Sequence, residues 1–163
     1  MHRILSLLME NEPGALSRVV GLFSQRGYNI ESLNVAPTQD ASLSRLTLIT
    51  EGDDQKIEQI TKHLNRLIDV VKVSNFSQTE HVAREMLMVK VHADSSDMRD
   101  EVKRCCDIFR GHIVDVDPAY FILQLVGTSD KLDAFLRALG DATIMEIVRS
   151  GACAMARGEQ CLL

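Results

Sequence analysis

The chain has few aromatic side chains and little positive charge. Tryptophan is absent from its 163 residues, and aromatic residues make up only 4% of them. A formal net charge of −5 argues against the broad electrostatic footprint with which proteins hold nucleic acid. The shortage of aromatic rings also leaves few platforms on which bases could stack. We therefore expect no nucleic-acid partner.

Long apolar runs are missing as well. No run approaches the roughly 20 residues that a membrane-spanning helix needs, so we expect no membrane span. The first residues lead directly into a strand pattern, without the apolar stretch and cleavage site of a secretory leader. These features predict a cytoplasmic protein.

Cysteine is present, but not in a pattern typical of disulfides or metal sites. The chain has four cysteines, at Cys105, Cys106, Cys153 and Cys161. Two are adjacent, and no C-x-x-C motif occurs, which indicates reduced thiols. The helical periodicity predicts that Cys105 lies in a core. The last two cysteines fall in a C-terminal tail.

One order of elements, strand–helix–strand–strand–helix–strand, occurs twice along the chain. Hydrophobic periodicity places the first set at 3–9, 14–26, 29–37, 43–51, 54–67 and 69–73. It places the second set at 86–91, 97–109, 112–117, 120–126, 129–139 and 143–148. Gly27 and Gly111 follow the first helix of each set as stop signals. We predict an α+β chain of two tandem ferredoxin-like βαββαβ domains, with antiparallel sheets and helices on one face.

This order predicts an N-terminal domain, a linker and a C-terminal domain with a tail, at residues 1–76, 77–84 and 85–163. The first strand has apolar side chains on both faces, with Leu5 and Leu7 on one and Ile4 and Leu8 on the other. The second face needs cover from another domain or another subunit. We therefore expect at least a homodimer.

The loop between the first strand and the first helix is the strongest candidate site. A helix start carries unpaired N–H groups and a partial positive charge, so it can hold a carboxylate. Asn11 offers a donor and acceptors, and Gly14 allows a ligand to approach the backbone. The N–H groups of Gly14, Ala15 and Leu16 would then face the carboxylate. Asn11 and Gly14 also fit an ordinary turn and helix start.

Asn29 opens the second strand and extends this site if two copies associate. Edge-to-edge pairing through that strand would bring Asn29 of one copy to the loop of the other. A ligand there would bridge two subunits and favour one arrangement of the dimer. A plain strand-entry role fits Asn29 equally well.

Catalytic and metal motifs are not apparent. The spacing of the histidines is not that of metal ligands: they are His2, His63, His81, His92 and His112. No Ser/His/Asp set stands out, although such sets need not be close in sequence. A small hydrolase using Cys105 or Cys106, with its thiol pKa lowered by Arg104, is one alternative.

Two long runs carry a family resemblance. ENEPGALSRV (10–19) and GLFSQRGYNIESL (21–33) resemble the small regulatory subunit of acetolactate synthase (acetohydroxyacid synthase), whose N-terminal part is an ACT domain. Further runs fit across essentially the whole chain, at 44–47, 100–104, 108–111 and 127–135. The tail, Gly151–Leu163, carries little that matches, and its role stays open.

The resemblance implies a non-catalytic subunit. It would bind and activate the large catalytic subunit and confer feedback inhibition by a branched-chain amino acid, usually valine. Thiamine diphosphate, Mg²⁺ and FAD would belong to the catalytic subunit, with no cofactor in this chain. A stand-alone amino-acid-sensing ACT module with another partner is the alternative.

The resemblance also implies where the effector binds, namely between two ACT domains. The matching positions are Asn11, Gly14, Ala15 and Leu16 from one chain, with Asn29 and Ile30 from the other. The first helix, with Arg18 and Phe23, either contacts the catalytic subunit or packs on its own sheet. No ligand site is assigned to the second half.

Overall fold

The predicted order of elements is confirmed in the computed structural model, which describes residues 2–140 and 143–162. The first set is β1 (His2–Glu10), α1 (Ala15–Gln25), β2 (Ile30–Pro37), β3 (Leu43–Glu51), α2 (Asp54–Leu64) and β4 (Val70–Asn75). The second is β5 (His81–His92), α3 (Ser96–Ile108), β6 (His112–Val116), β7 (Tyr120–Gly127), α4 (Ser129–Leu139) and β8 (Ile144–Ala156). The sheets have the orders β2-β3-β1-β4 and β6-β7-β5-β8, as the ferredoxin-like plan requires.

The chain divides into two compact units. The N-terminal unit contains residues up to Val82 together with those from Gly151 onward, and the central unit is Ala83–Ser150. The division differs from the predicted one at two places. The predicted linker, 77–84, includes the start of β5 at His81, and the predicted tail belongs to the N-terminal unit. Met1, Asp141, Ala142 and Leu163 lie outside the described residues.

The core of the N-terminal unit lies between its sheet and its two helices. Leu5 and Leu7 of β1 are fully buried there, because alternate residues of a strand share one face. The helices bury residues spaced by three and four positions, namely Ala15, Val19 and Phe23 of α1 and Ile57, Ile60 and Leu64 of α2. Asp53 caps the start of α2, since its carboxylate accepts a hydrogen bond from the Lys56 amide at 2.8 Å.

The second face of this sheet is covered by the chain's own C-terminal segment. Leu8 points away from the helices, yet it is only 4% exposed. Its neighbours across the strands are Arg45 on β3 and Lys72 on β4. Arg45 donates to the carbonyl of Ala154 at 2.7 Å, and Lys72 to that of Cys161 at 2.9 Å. We expected another domain or subunit here, but residues from Gly151 onward provide this cover.

The helix ends follow the predicted stop signals with one difference. Gly27, after α1, has a left-handed backbone with φ of 67°. After α3 the left-handed residue is Arg110, with φ of 59°, rather than Gly111. A Cβ on Gly111 would lie 2.9 Å from the sulfur of Cys106. Glycine is therefore required at that position for space.

In the central unit, the buried face of α3 differs by one residue from the predicted face. Cys106 is 1% exposed, whereas Cys105, the predicted core residue, is only partly buried against the same cluster. One position in a helix is a rotation of about 100°, so the apolar stripe of α3 points nearer to Cys106. The other face of this sheet leaves apolar side chains exposed, with Met86 at 38% and Val126 at 50%.

The cover over Leu8 leads to a prediction for stability. We expect Leu8→Ala to lower the free energy of unfolding by about 2–4 kcal/mol, because a cavity is left beneath the C-terminal segment. In a chain ending at Ser150, Leu8 is already exposed, and the same change should cost less than about 1 kcal/mol. Urea unfolding of the four chains measures both values.

Leu7→Ala is the matched control, because Leu7 faces the helices. It should cost about 2–5 kcal/mol at either chain length. An equal cost of Leu8→Ala in both lengths would contradict the assignment of the C-terminal segment as the cover of this face.

Candidate effector site

The loop between β1 and α1 is fastened to the connection between β2 and β3. The Asn11 backbone N–H donates to Ser42 O at 2.7 Å, and its side-chain Nδ2 donates to Ala41 O at 2.9 Å. Ser44 Oγ donates to Asn11 Oδ1 at 3.0 Å. Asn11 therefore fastens its loop to the start of β3 and to the connection before it. Its amide is nonetheless exposed and keeps a second N–H for a ligand.

Gly14 starts α1 in a conformation that other residues rarely adopt. Its φ is 89°, in the left-handed region. A Cβ built on it would lie 3.1 Å from Nη1 of Arg18, so both the backbone and the neighbouring side chain favour glycine. The loop residues before the helix are exposed, which leaves the helix start open to solvent.

Not all of the backbone N–H groups that were predicted to bind a carboxylate at the start of α1 are free to do so. The N–H of Ala15 donates to Glu12 O at 3.2 Å, so it is already engaged. Helix geometry leaves the N–H groups of Leu16 and Ser17 without partners inside the helix. Together with Gly14, Leu16 is therefore the better candidate for a carboxylate, and its side chain is half-buried.

Arg18 and Asp69 form an ion pair beside this helix start. Arg18 donates through both Nε and Nη2 to the two carboxylate oxygens of Asp69, with 2.6 Å between Nη2 and Oδ1. This hydrogen-bonded guanidinium holds the pKa of Asp69 below its ordinary value, and the carboxylate raises the pKa of Arg18. The backbone N–H of Glu10 also donates to Asp69 O at 2.8 Å. The pair thus joins α1, the end of β1 and the residue before β4.

The structure favours one of the two roles that the sequence left open for the first helix. Arg18 is committed within its own chain, and Phe23 is 1% exposed in the core, so Phe23 offers nothing to a partner. α1 packs on its own sheet, which was the alternative interpretation. Sequence reasoning missed Asp69, because it lies 51 positions from Arg18 and carries no local motif.

Asn29 and Ile30 lie at the opposite end of the sheet from Asn11. Thr50 Oγ1, near the end of β3, donates to Asn29 O at 2.5 Å, whereas Asn11 is bonded to Ser44 near the start of β3. The six residue steps from Ser44 to Thr50 separate the two groups by about 20 Å at 3.3 Å per residue. The structure therefore does not bring the predicted site residues together within one chain.

Two other kinds of site, a catalytic cysteine and a metal centre, have little support in the structure. Burial is the main cause that raises the pKa of both Cys105 and Cys106, which opposes formation of a nucleophilic thiolate. His2, Glu31 and Glu51 place ligand atoms within 4.8 Å of one another on the surface. No sequence spacing indicated that cluster, because it joins three strands. Exposed groups of this kind are common without a metal, and we assign none.

Membrane insertion through a helix finds no support. Among residues 2–140 and 143–162, none of the helices combines the length and the apolar character that crossing a bilayer takes.

Comparison with known proteins identifies the family. Residues 5–72 match the AHAS small subunit-like ACT domain, and residues 84–158 match the small subunit of acetolactate synthase. The acetolactate synthase small subunit of Haemophilus influenzae is 58% identical, over 100% of both chains. The acetolactate synthase isozyme 3 small subunit of Salmonella typhimurium is also 58% identical, over 98% of both chains.

A solved structure agrees with these matches. The acetolactate synthase small subunit from Thermotoga maritima has a TM-score of 0.89 to this chain at 36% identity, covering 98% of this chain and 99% of that one. The two ferredoxin-like sheets and the ACT-type first half define a tandem regulatory-domain architecture. The chain belongs to the acetolactate synthase small-subunit family, as the two N-terminal runs predicted.

The Arg18–Asp69 pair predicts a pH-dependent stability. We expect Asp69→Asn to lower the Tm at pH 7, because the guanidinium loses its charged partner. The folded-state pKa of Asp69 lies below its unfolded value. The stabilisation is therefore fully present above the unfolded pKa of about 3.9 and is lost as pH falls through the folded-state pKa.

Thermal unfolding from pH 7 down to pH 2 measures this effect. The difference in Tm between the two proteins should be constant near neutrality and shrink in acid. Asp115→Asn is the control, since Asp115 is an exposed residue of β6 and should change the Tm little at any pH. A difference for Asp69→Asn that persists unchanged at pH 2 would rule out the ion pair as its cause.

Proposed function

We propose that this chain is the regulatory subunit of acetolactate synthase. It binds the large catalytic subunit, raises its activity and makes it sensitive to feedback inhibition by a branched-chain amino acid, with valine as the preferred effector. The names of its relatives as small subunits and the match to an ACT domain support this proposal. Thiamine diphosphate, Mg²⁺ and FAD belong to the catalytic subunit, and the complex is cytoplasmic.

One observation carries the proposed effector site, the left-handed Gly14 at the exposed start of α1. Without a side chain at this position, a ligand can reach the N–H groups of Gly14 and Leu16. The carboxylate of valine would accept these hydrogen bonds. Asn11 is fixed beside them by its bonds to Ala41 and Ser44.

The geometry of β2 supports a site built from two copies. β2 is an edge strand of its sheet, so a second copy can pair with it. In an antiparallel pair about a two-fold axis, the Pro37 end of one strand lies beside the Ile30 end of the other. Pro37 is opposite Ser44, whose hydroxyl is bonded to Asn11. Such a dimer therefore carries Asn29 and Ile30 of each copy to the loop of the other.

In this dimer the effector acts by selecting one arrangement of the two copies. A ligand that contacts both chains binds the arrangement in which the loop and the partner's Asn29 are close, and it stabilises that arrangement over others. The catalytic subunit would bind the arrangements with different affinities. By linkage, effector affinity and subunit affinity must then change by the same factor.

Reconstitution with the catalytic subunit tests the function. Adding this chain should raise acetolactate synthase activity, and valine should then lower it. We expect Gly14→Ala to retain activation but to weaken valine binding at least about tenfold, because the methyl group enters the ligand's space beside Arg18. Calorimetric titration with valine, leucine and isoleucine ranks the effectors.

Gly140→Ala is the matched control. Gly140 also has a positive φ, of 78°, with nothing within 4 Å of an added Cβ, and it is not part of the proposed site. Its valine affinity should be unchanged. Valine binding without any effect on the catalytic subunit would favour a stand-alone amino-acid sensor. Unchanged affinity in Gly14→Ala would remove the proposed site.

Mixed dimers test whether the site spans two copies. We expect Gly14→Ala and Asn29→Ala homodimers each to lose tight valine binding. In a mixed dimer, symmetry places both substitutions in one site and leaves the other site intact. Dimers purified through two different tags should therefore bind valine with wild-type affinity at half the wild-type stoichiometry. Absence of binding by the mixed dimer would show that each site lies within one chain.

A further inference from the structure

The N-terminal unit also contains a cavity whose lining shares no residue with the proposed effector site at the start of α1. It has a volume of about 750 Å³ and lies on the sheet face opposite the helices, beneath the C-terminal segment. Arg45, Lys72 and Ser74 contribute from the strands, and residues from Met155 to Leu162 contribute from the segment. Cavities of this size are within the range that holds small organic ligands.

Two cations lie on the same face of the sheet at this cavity. Arg45 and Lys72 are both opposite Leu8, one on each side of β1. Their Cα atoms are therefore about 10 Å apart, which is two strand spacings. Their side chains meet backbone carbonyls, at Ala154 O and Cys161 O, and the described residues show no carboxylate paired with either.

The charge of Arg45 is incompletely compensated. Its Nε donates to Ser6 Oγ at 3.2 Å and its Nη2 to Ala154 O at 2.7 Å, so both acceptors are neutral. Burial is the main cause that lowers the pKa of this guanidinium. Lys72 donates one of its three N–H groups to the Cys161 carbonyl, which leaves two for a ligand. Arg45 is half-buried, whereas Lys72 is exposed. A partly desolvated guanidinium without an anionic partner is energetically unfavourable, and an anion would relieve it.

The rest of the lining matches an organic anion. None of the described lining residues is acidic, and several offer amide or hydroxyl groups, namely Gln39, Ser74, Asn75, Thr79 and Gln160. Apolar surface is also present, from Phe76, Met155 and Leu162. Such a lining would not repel an anion, and its apolar surface would accommodate the short hydrocarbon part of an organic anion.

We propose that this cavity binds a small organic anion, a molecule with carboxylate or phosphate groups that Arg45 and Lys72 hold. The ligand bridges the sheet to the C-terminal segment, so its binding stabilises the contact between them. The site is independent of the amino-acid effector, because no residue proposed for the effector lines the cavity.

Calorimetric titration of the full chain tests this proposal, with inorganic pyrophosphate and glutarate as probes. Glutaramide, which has the length of glutarate without its charge, is the neutral comparison. We expect saturable binding of at least one anion and none of glutaramide. Binding of pyrophosphate alone or of glutarate alone supports the site and identifies which anionic group it prefers.

Two charge-removing variants locate the binding. Arg45→Gln and Lys72→Gln should each weaken anion affinity at least about tenfold, because a charge-assisted hydrogen bond is lost. Lys103→Gln, at an exposed position of α3, removes the same charge elsewhere and should leave the affinity within about twofold. Thermal melts verify folding, and Lys72→Gln keeps the test valid if Arg45→Gln loosens the segment.

Three results would overturn the proposal. They are the absence of saturable binding by either anion, equal binding of glutaramide, and wild-type anion affinity in Lys72→Gln. Valine should not compete with the anion, since the two sites share no residue. Loss of anion binding would leave the proposed effector site untouched, so the two proposals fail separately.

Discussion

β1 must be kept from water on both of its faces, and the rest of the N-terminal unit depends on this constraint. Leu5, Ser6 and Leu7 have no exposed surface, and Leu8 has 4%. Two amphipathic helices cover one face, which is the ordinary solution for a ferredoxin-like sheet. The other face requires a further layer, because an exposed Leu8 would leave an apolar patch on a central strand. The chain supplies that layer from its own end, so the N-terminal unit includes residues nearly seventy positions beyond Val82.

The elements were predictable, but this layer was not. Periods of 3.6 and 2 residues are strong in the strands and helices that face a core, and they predicted both βαββαβ sets. The C-terminal segment buries small residues, Ala152 and Ala154, whose alternation is a weak signal. Its anchors are side chains of other strands, Arg45 and Lys72, which donate to backbone carbonyls. Backbone acceptors occur at every position, so no residue type in the segment could indicate these contacts.

The residues of the candidate site differ in the same way: some could be predicted from local sequence patterns, and others depend on tertiary contacts. Asn11 and Gly14 were found because a helix start after a strand is a local pattern with a known electrostatic consequence. The Arg18–Asp69 pair was missed because it depends on tertiary structure. Asn29 is a third case. Its family-implied role cannot be fulfilled within one chain, since Thr50 holds it at the far end of β3, and only the symmetry of a dimer could bring it to Asn11.

The contacts of the loop indicate how an effector could act there. Ser42 of the β2–β3 connection and Ser44 of β3 hold it on one side, and Asp69 holds Glu10 and Arg18 on the other side. A loop fastened on both sides has little freedom to change shape when a ligand arrives. Under the proposed function, the degree of freedom that remains is the position of the second copy along the exposed edge of β2. The effector would then change the arrangement of two rigid units, and the catalytic subunit would respond to that arrangement rather than to a local movement of the loop.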